Sequence, residues 1–138
     1  GLLSRVLRPP IVRARTRSVR CYHCLNHFDA SEKAITLSCP RCYQRVEVRD
    51  VIVRDEMRAK VVQTCGLVII EKKGRLRAEA VEACEGVEVL GELDAHCVSH
   101  AHVFIGAKAT WRGDCTAPMI VMEPGAKVLG GRFEIRRN

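Results

Sequence analysis

Aromatic residues are scarce in this chain: Phe, Trp and Tyr make up 4% of its 138 residues. An interior of large interlocking rings is therefore excluded, although hydrophobic residues overall reach 47%. Such a composition favours a core lined by Val, Ile, Leu and Ala. Long apolar runs are missing too, and none approaches the roughly 20 residues of a membrane-spanning helix. No stretch carries the periodicity of an amphipathic helix. The start lacks the apolar core and cleavage site of a secretory signal, which points to a cytoplasmic protein. Ser-His-Asp sets, glycine-rich phosphate loops and paired carboxylates are also wanting, so a non-enzymatic role is expected.

Acidic residues are absent from one segment. Residues 1–20 contain Arg5, Arg8, Arg13, Arg15, Arg17 and Arg20 without a single Asp or Glu, and so hold +6 of the net charge of +7. The rest of the chain has 17 basic and 16 acidic residues. The basic character belongs to a tail, and the nearly neutral body argues against nucleic acid as its partner. Pro9 and Pro10 rule out one continuous helix there, and the composition of residues 1–20 is that of a disordered arm. Leu2, Leu3, Arg5, Leu7 and Arg8 suit contact with an anionic membrane, by short apolar insertion plus Arg attraction. That contact would place the protein at the periphery of the inner membrane. An acid-free, Arg-rich start also has the composition of an organelle transit peptide.

Cysteine, by contrast, is plentiful, with eight residues. In an intracellular chain they suggest metal before disulfides. Cys21 and Cys24 form one CxxC pair, Cys39 and Cys42 a second, with fourteen residues between them. Two thiolates two residues apart can face one ion from a tight turn, and two such turns complete a tetrahedron around Zn²⁺. All four positions are then filled by protein, so the zinc is expected to be structural. Residues 34–37 and 46–48 read as the strands of a short hairpin. Residues 21–50 are thus expected to form a zinc ribbon that meets a protein partner, with His23 and His27 nearby but not ligands. A zinc-ribbon nucleic-acid binder is the alternative, but four basic and three acidic residues over 21–49 make no basic platform. Cys65, Cys84, Cys97 and Cys115 lie among apolar or small residues and read as small buried hydrophobes.

From about residue 58 onward, short stretches with period-two alternation are separated by glycine and small residues. Residues 103–114 align with 120–131 at an offset of 17: Val103 with Ile120, Ile105 with Met122, Ala109 with Ala126, Trp111 with Val128, and Gly113 with Gly130. Residues 87–95 match 109–117 at an offset of 22, which a five-residue bulge over 96–100 would reconcile. Glu71 and Glu123 are related by an offset of 52, close to three repeats. A repeat of roughly 17 residues with glycine corners is one turn of a parallel β-helix. Val87, Val89, Leu93, Val103, Ile105, Ala109 and Trp111 should then face the lumen. Glu88, Leu90, Glu92, His102, Phe104, Lys108 and Arg112 should face outward, with Gly91, Gly113 and Gly130 at corners. The expected fold class is all-β, a four-cysteine zinc ribbon followed by a short β-helix over residues 58–138, each with its own core.

A β-helix end exposes a rung of unpaired backbone groups and an open lumen. Phe133 and Ile135 in the last turn, with no length left for a capping helix, and Leu67 in the first turn are the expected polymer contacts. At this point the stretches V-E-V-L-G-E-L, F-I-G-A-K-A-T-W-R-G-D-C-T-A-P and M-E-P-G-A-K-V-L-G-G-R-F resemble the repeat signature of the bactofilins, over about residues 60–138. The resemblance implies a right-handed β-helix and a bacterial cytoskeletal scaffold that forms homopolymeric filaments without nucleotide. It also implies membrane attachment through the N-terminal tail. The ribbon and the 96–100 bulge depart from regular members. The enzymatic alternative is a left-handed β-helix of the hexapeptide type, an acyltransferase or a zinc hydratase using His96, His100 and His102. Its steps of six fail, however: Val103, Ala109 and Cys115 lead to Val121, and Val87 and Leu93 lead to Ser99. Solvated, outward-facing histidines on the bulge are the preferred reading.

Overall fold

Val, Ile and Ala alternating with charged residues favour extended backbone that is buried on one side. The computed structural model, which describes residues 15–137, resolves this alternation into sixteen β-strands and no helix among the described residues. Two antiparallel pairs come first: β1 (Thr16–Arg20) with β2 (His27–Ser31), and β3 (Thr36–Ser38) with β4 (Arg45–Glu47). Every later pairing is parallel. One sheet stacks β5 (Val51–Val53), β7 (Leu67–Ile70), β9 (Gly86–Val89), β11 (His102–Ile105) and β14 (Met119–Met122) in that order. The second stacks β6 (Glu56–Thr64), β8 (Arg75–Ala83) and β10 (Glu92–Ser99). Beyond β10 it divides into β12 (Thr110–Arg112) and β13 (Cys115–Ala117), which pair in turn with β15 (Lys127–Gly130) and β16 (Phe133–Ile135). The chain alternates between the two sheets and so winds a parallel β-solenoid.

Columns of side chains fill the lumen. Val51, Val68, Val87, Val103 and Ile120 form one, and Val53, Ile70, Val89, Ile105 and Met122 the next. On the other sheet Met57, Leu76, Leu93, Trp111 and Val128 stack, as do Val62, Val81, Cys97, Cys115 and Phe133. Each fully buried Val or Leu contributes roughly 1.5–3 kcal/mol. Small side chains suffice because every rung lies on the one below, which accounts for the low aromatic content.

The turns are unequal. Val68 pairs with Val87, Val87 with Val103 and Val103 with Ile120, at successive offsets of 19, 16 and 17. The offset of 17 therefore holds from Val103 to Trp111, which does pair with Val128, and gives way to 18 beyond it. Glu71, Leu90, Gly106 and Glu123 each donate an N–H to the strand end below, so the step from Glu71 to Glu123 is three rungs. The offset of 22 is overturned. Leu93 pairs with Trp111 and Cys97 with Cys115, both at an offset of 18, and residues 96–99 belong to β10. The irregularity here is an extra residue in β8, between Arg77 and Ala80. A register shift between Trp111 and Arg112 likewise pairs Arg112 with Gly130, so Gly131 (φ 126) takes the corner beyond Gly113 (φ 127). A Cβ on Gly113 would sit 1.9 Å from the Ala95 carbonyl oxygen, and one on Gly131 would sit 1.9 Å from that of Gly113. Only glycine fits a corner so close to backbone.

Three other expectations are corrected. The solenoid ladder begins at Val51, ahead of residue 58, because β5 already pairs with β7. Thr16–Arg20, expected within the disordered arm, form β1 against β2. The cores are also not separate: Val19, Cys21, Tyr22, Ala30, Cys39, Val46 and Val48 of the ribbon share one cluster with Cys65 and Cys84 of the solenoid. All four scattered cysteines are buried, as expected, but Cys97 and Cys115 lie in the lumen core whereas Cys65 and Cys84 pack against the ribbon.

Candidate metal centre and assembly faces

The two CxxC turns are near copies of one another. Leu25 N–H donates to Cys21 O and Tyr43 N–H to Cys39 O, both at 2.8 Å. Cys21 N–H donates to Asn26 O and Cys39 N–H to Gln44 O, both at 2.9 Å. Leu25 (φ 64) and Tyr43 (φ 62) adopt the left-handed conformation that closes each turn. Inside the turns, His23 N–H points at Cys21 Sγ (3.3 Å) and Arg41 N–H at Cys39 Sγ (3.4 Å). The hairpin expected between residues 34–37 and 46–48 is β3 with β4, and it holds the second turn beside the first.

The four sulfurs of Cys21, Cys24, Cys39 and Cys42 lie within 4.8 Å of one another. Cys21 and Cys42 are 3.8 Å apart, Cys24 and Cys39 3.7 Å. A tetrahedral ion with Zn–S bonds of about 2.3 Å requires sulfurs about 3.8 Å apart. The residues therefore fit a four-thiolate ion, and no other metal-sized cluster occurs among the described residues. Among the thiols alone, burial pushes Cys21 up to about 12. Burial opposes charge on Cys39 too, but the N–H groups of Cys42 and Arg41 and the Cys24 and Cys42 thiols outweigh it and hold Cys39 at about 7. His23 and His27 stay outside the thiol cluster, His23 Nε2 lying 3.3 Å from Arg45 O.

The other histidines do not gather. Each reaches a different carboxylate: His96 Nδ1 is 3.8 Å from Asp114, His100 Nε2 2.7 Å from Glu82, and His102 Nε2 3.2 Å from Glu88. The expected bulge is thus replaced by strand and corner; the His96 side chain is 54% exposed, as expected of a solvated histidine, whereas that of His100 is only 12% exposed. Burial pulls the Glu82 carboxyl up, but hydrogen bonds to His100 and Gln63 outweigh it and leave it below the usual carboxylate range.

The solenoid ends differ from each other. Among the described residues β5 and β6 have no partner on the N-terminal side, and β14, β15 and β16 have none on the C-terminal side. At the N-terminal end Val53 and Val62 are 2% and 6% exposed, whereas at the C-terminal end Met122, Val128 and Ile135 are 43%, 39% and 54% exposed. Phe133 lies in the last rung, its ring centroid 5.7 Å from that of Trp111. Leu67 does not lie at an end. It belongs to the second strand of its sheet, with β5 stacked beyond it, so the N-terminal face is made by β5 and β6. The membrane-contact candidates Leu2, Leu3, Arg5, Leu7 and Arg8 fall outside the described residues.

Sequence reasoning passes over the seam between ribbon and solenoid. Glu47 N–H donates to the Tyr22 hydroxyl at 2.9 Å, and an Arg17–Glu85 ion pair (3.5 Å) lies beside it. One signal is present: Cys65 and Cys84 follow the two long strands at equivalent places, one rung apart. Small thiols repeating at a corner mark a surface that something covers.

A family model described as Bactofilin, polymer-forming cytoskeletal, matches residues 45–132. No curated protein and no solved structure matches the chain. The match begins at β4 and runs to the last rung, leaving the thiol cluster outside it. With more than half of its residues matched and a parallel solenoid over the same span, the chain belongs to the bactofilin family of polymer-forming cytoskeletal proteins.

Proposed function

We propose that this chain is the subunit of a homopolymeric cytoskeletal scaffold, stacking end to end through the terminal turns of its solenoid without nucleotide. The exposed lumen of the last rung carries the reading. Met122, Val128 and Ile135 belong to columns that are fully buried one rung earlier, and another rung about 4.8 Å away would continue them. Such a rung would also satisfy the edges of β14, β15 and β16, which are unpaired among the described residues. Phe133 and Ile135 are the proposed contacts, and burying each large apolar side chain contributes roughly 1.5–3 kcal/mol. The scaffold needs no catalytic residue.

Structural Zn²⁺ is the proposed ion at Cys21, Cys24, Cys39 and Cys42, because four thiolates in a closed tetrahedron leave no place for substrate or water. The ribbon, which lies outside the family match, is the proposed surface for a protein partner. The arginine tail, through Leu2, Leu3, Arg5, Leu7 and Arg8, is proposed to hold the scaffold at the cytoplasmic face of the inner membrane. Negative-stain microscopy of the purified chain without nucleotide, with zinc measured on the same sample, tests the reading. Filaments and one zinc per chain are expected. Monodisperse particles at every concentration would overturn the scaffold, and metal-free protein would overturn the ribbon assignment.

A further inference from the structure

We infer that the metal centre governs the N-terminal end of the solenoid: an ion in the ribbon clamps residues 47–53 in place, and its loss frays that end while the C-terminal rungs stay folded. The inference rests on the four-cysteine site proposed above and adds a consequence for the rest of the chain.

Residues 47–49 form the hinge between ribbon and solenoid, and they are gripped from both sides. On the solenoid side, Cys65 N–H donates to Glu47 O at 2.8 Å, and the buried Thr64 hydroxyl donates to Arg49 O at 2.6 Å. On the ribbon side, the Tyr22 hydroxyl accepts the Glu47 N–H, and the Arg17 guanidinium donates to Val48 O while pairing with Glu85. Both ribbon groups depend on the metal turn. Tyr22 is the residue after the ligand Cys21, and Arg17 lies in the strand that leads into it. Cys21, Tyr22 and Cys39 also supply the cluster that buries Cys65 and Cys84.

Beyond the hinge, β5 has three residues and one neighbour, β7. Asp50 adds a single side-chain bond, from Leu67 N–H at 2.9 Å. A terminal repeat contacts only the repeat beneath it, so its persistence is set by local contacts and not by the stability of the whole stack. Without the ion nothing bonds the two CxxC turns to each other, Tyr22 and Arg17 lose their fixed positions, and residues 47–48 lose the bonds those two side chains supply. Val87, Val103, Trp111, Cys115 and Phe133 belong to a lumen cluster that does not include the ribbon, and of that cluster only Val51 and Val53 lie in the segment that loosens. The edge that β5 presents to a further subunit is therefore metal-dependent, and the edge presented by β14 and β16 is not.

Hydrogen exchange read by mass spectrometry on the full chain tests this, with the zinc form, the chelated form and the form after zinc is returned compared side by side. Chelation is expected to speed exchange roughly tenfold or more in peptides covering the ribbon and residues 47–53, with no change over residues 115–130, and zinc should reverse it. Tyr22→Phe, which leaves all four thiols intact, is expected to keep its zinc and still speed exchange several-fold over residues 47–53. Exchange that rises in the ribbon alone, with 47–53 as protected as before in both chelated protein and Tyr22→Phe, would overturn the inference. Zinc-free purified protein would instead sink the metal assignment on which it rests.

Discussion

The ribbon and the solenoid face the same shortage, too few large apolar side chains, and they meet it in opposite ways. The ribbon places its order in one point, where four sulfurs converge within 4.8 Å. The solenoid spreads its order along columns in which each small side chain rests on the one below. A point support fails as a whole, whereas a distributed one loses strength rung by rung. The contrast also explains why the two are joined at a corner of small cysteines, since neither unit alone covers Cys65 and Cys84.

Removing the point support puts this contrast at greatest risk. Structural zinc in such sites supplies roughly 10–16 kcal/mol of apparent binding energy. Cys39→Ser should therefore abolish metal retention and open residues 21–46 to protease, while the rungs from β8 onward keep their far-ultraviolet strand signal and melting transition. Loss of that transition together with the ribbon would show one cooperative unit where two are described.

A smaller effect comes from the solenoid side. Trp111 is the largest fully buried side chain, and its indole N–H donates to Gly113 O at 2.7 Å. Trp111→Ala should cost roughly 3–5 kcal/mol, read as a lowered denaturant midpoint for the solenoid with zinc content unchanged. A variant that also loses its metal would mean that the lumen supports the ribbon directly.

A still smaller effect concerns pH. Glu82 is held below its ordinary range by His100 and Gln63 against the opposing pull of burial. A depressed carboxyl contributes stability that is present above its unfolded pKa and lost as pH falls through the lower folded value. The chain should lose this contribution below about pH 4.3, the unperturbed glutamate value. Glu82→Gln should flatten that part of the acid limb and cost roughly 1 kcal/mol at neutral pH. Identical acid limbs for the two proteins would contradict the assignment.

Much of this is legible in the sequence where the chemistry is local. The CxxC spacing leads to the thiol cluster, and alternation separates Val87, Val89 and Leu93 from Glu88 and Glu92 without reference to the rest of the chain. What is not legible depends on rung length. Turns of unequal length cannot be told from a constant period with an insertion, so residues 87–95 align with the wrong face and the histidines fall on a bulge. The three residues of β5 are too few for alternation to separate a strand from a linker, and Leu67 reads as terminal for that reason. Pairing of Thr16–Arg20 with β2 follows from a register that only the folded ribbon defines.

The proposed assembly rests above all on the exposed last rung, and sedimentation of wild type beside Phe133→Arg is the decisive comparison. Phe133 is half-buried against Trp111, while its neighbour in the same strand, Ile135, is 54% exposed. A charge at position 133 would be driven, unpaired, into an apolar rung, at a cost of several kcal/mol per contact. Wild type should pellet as polymer without nucleotide, and Phe133→Arg should remain in the supernatant as a folded, zinc-bearing species of small size. Equal pelleting of the two proteins would contradict contact at this rung, and a wild type that never pellets would contradict the scaffold itself.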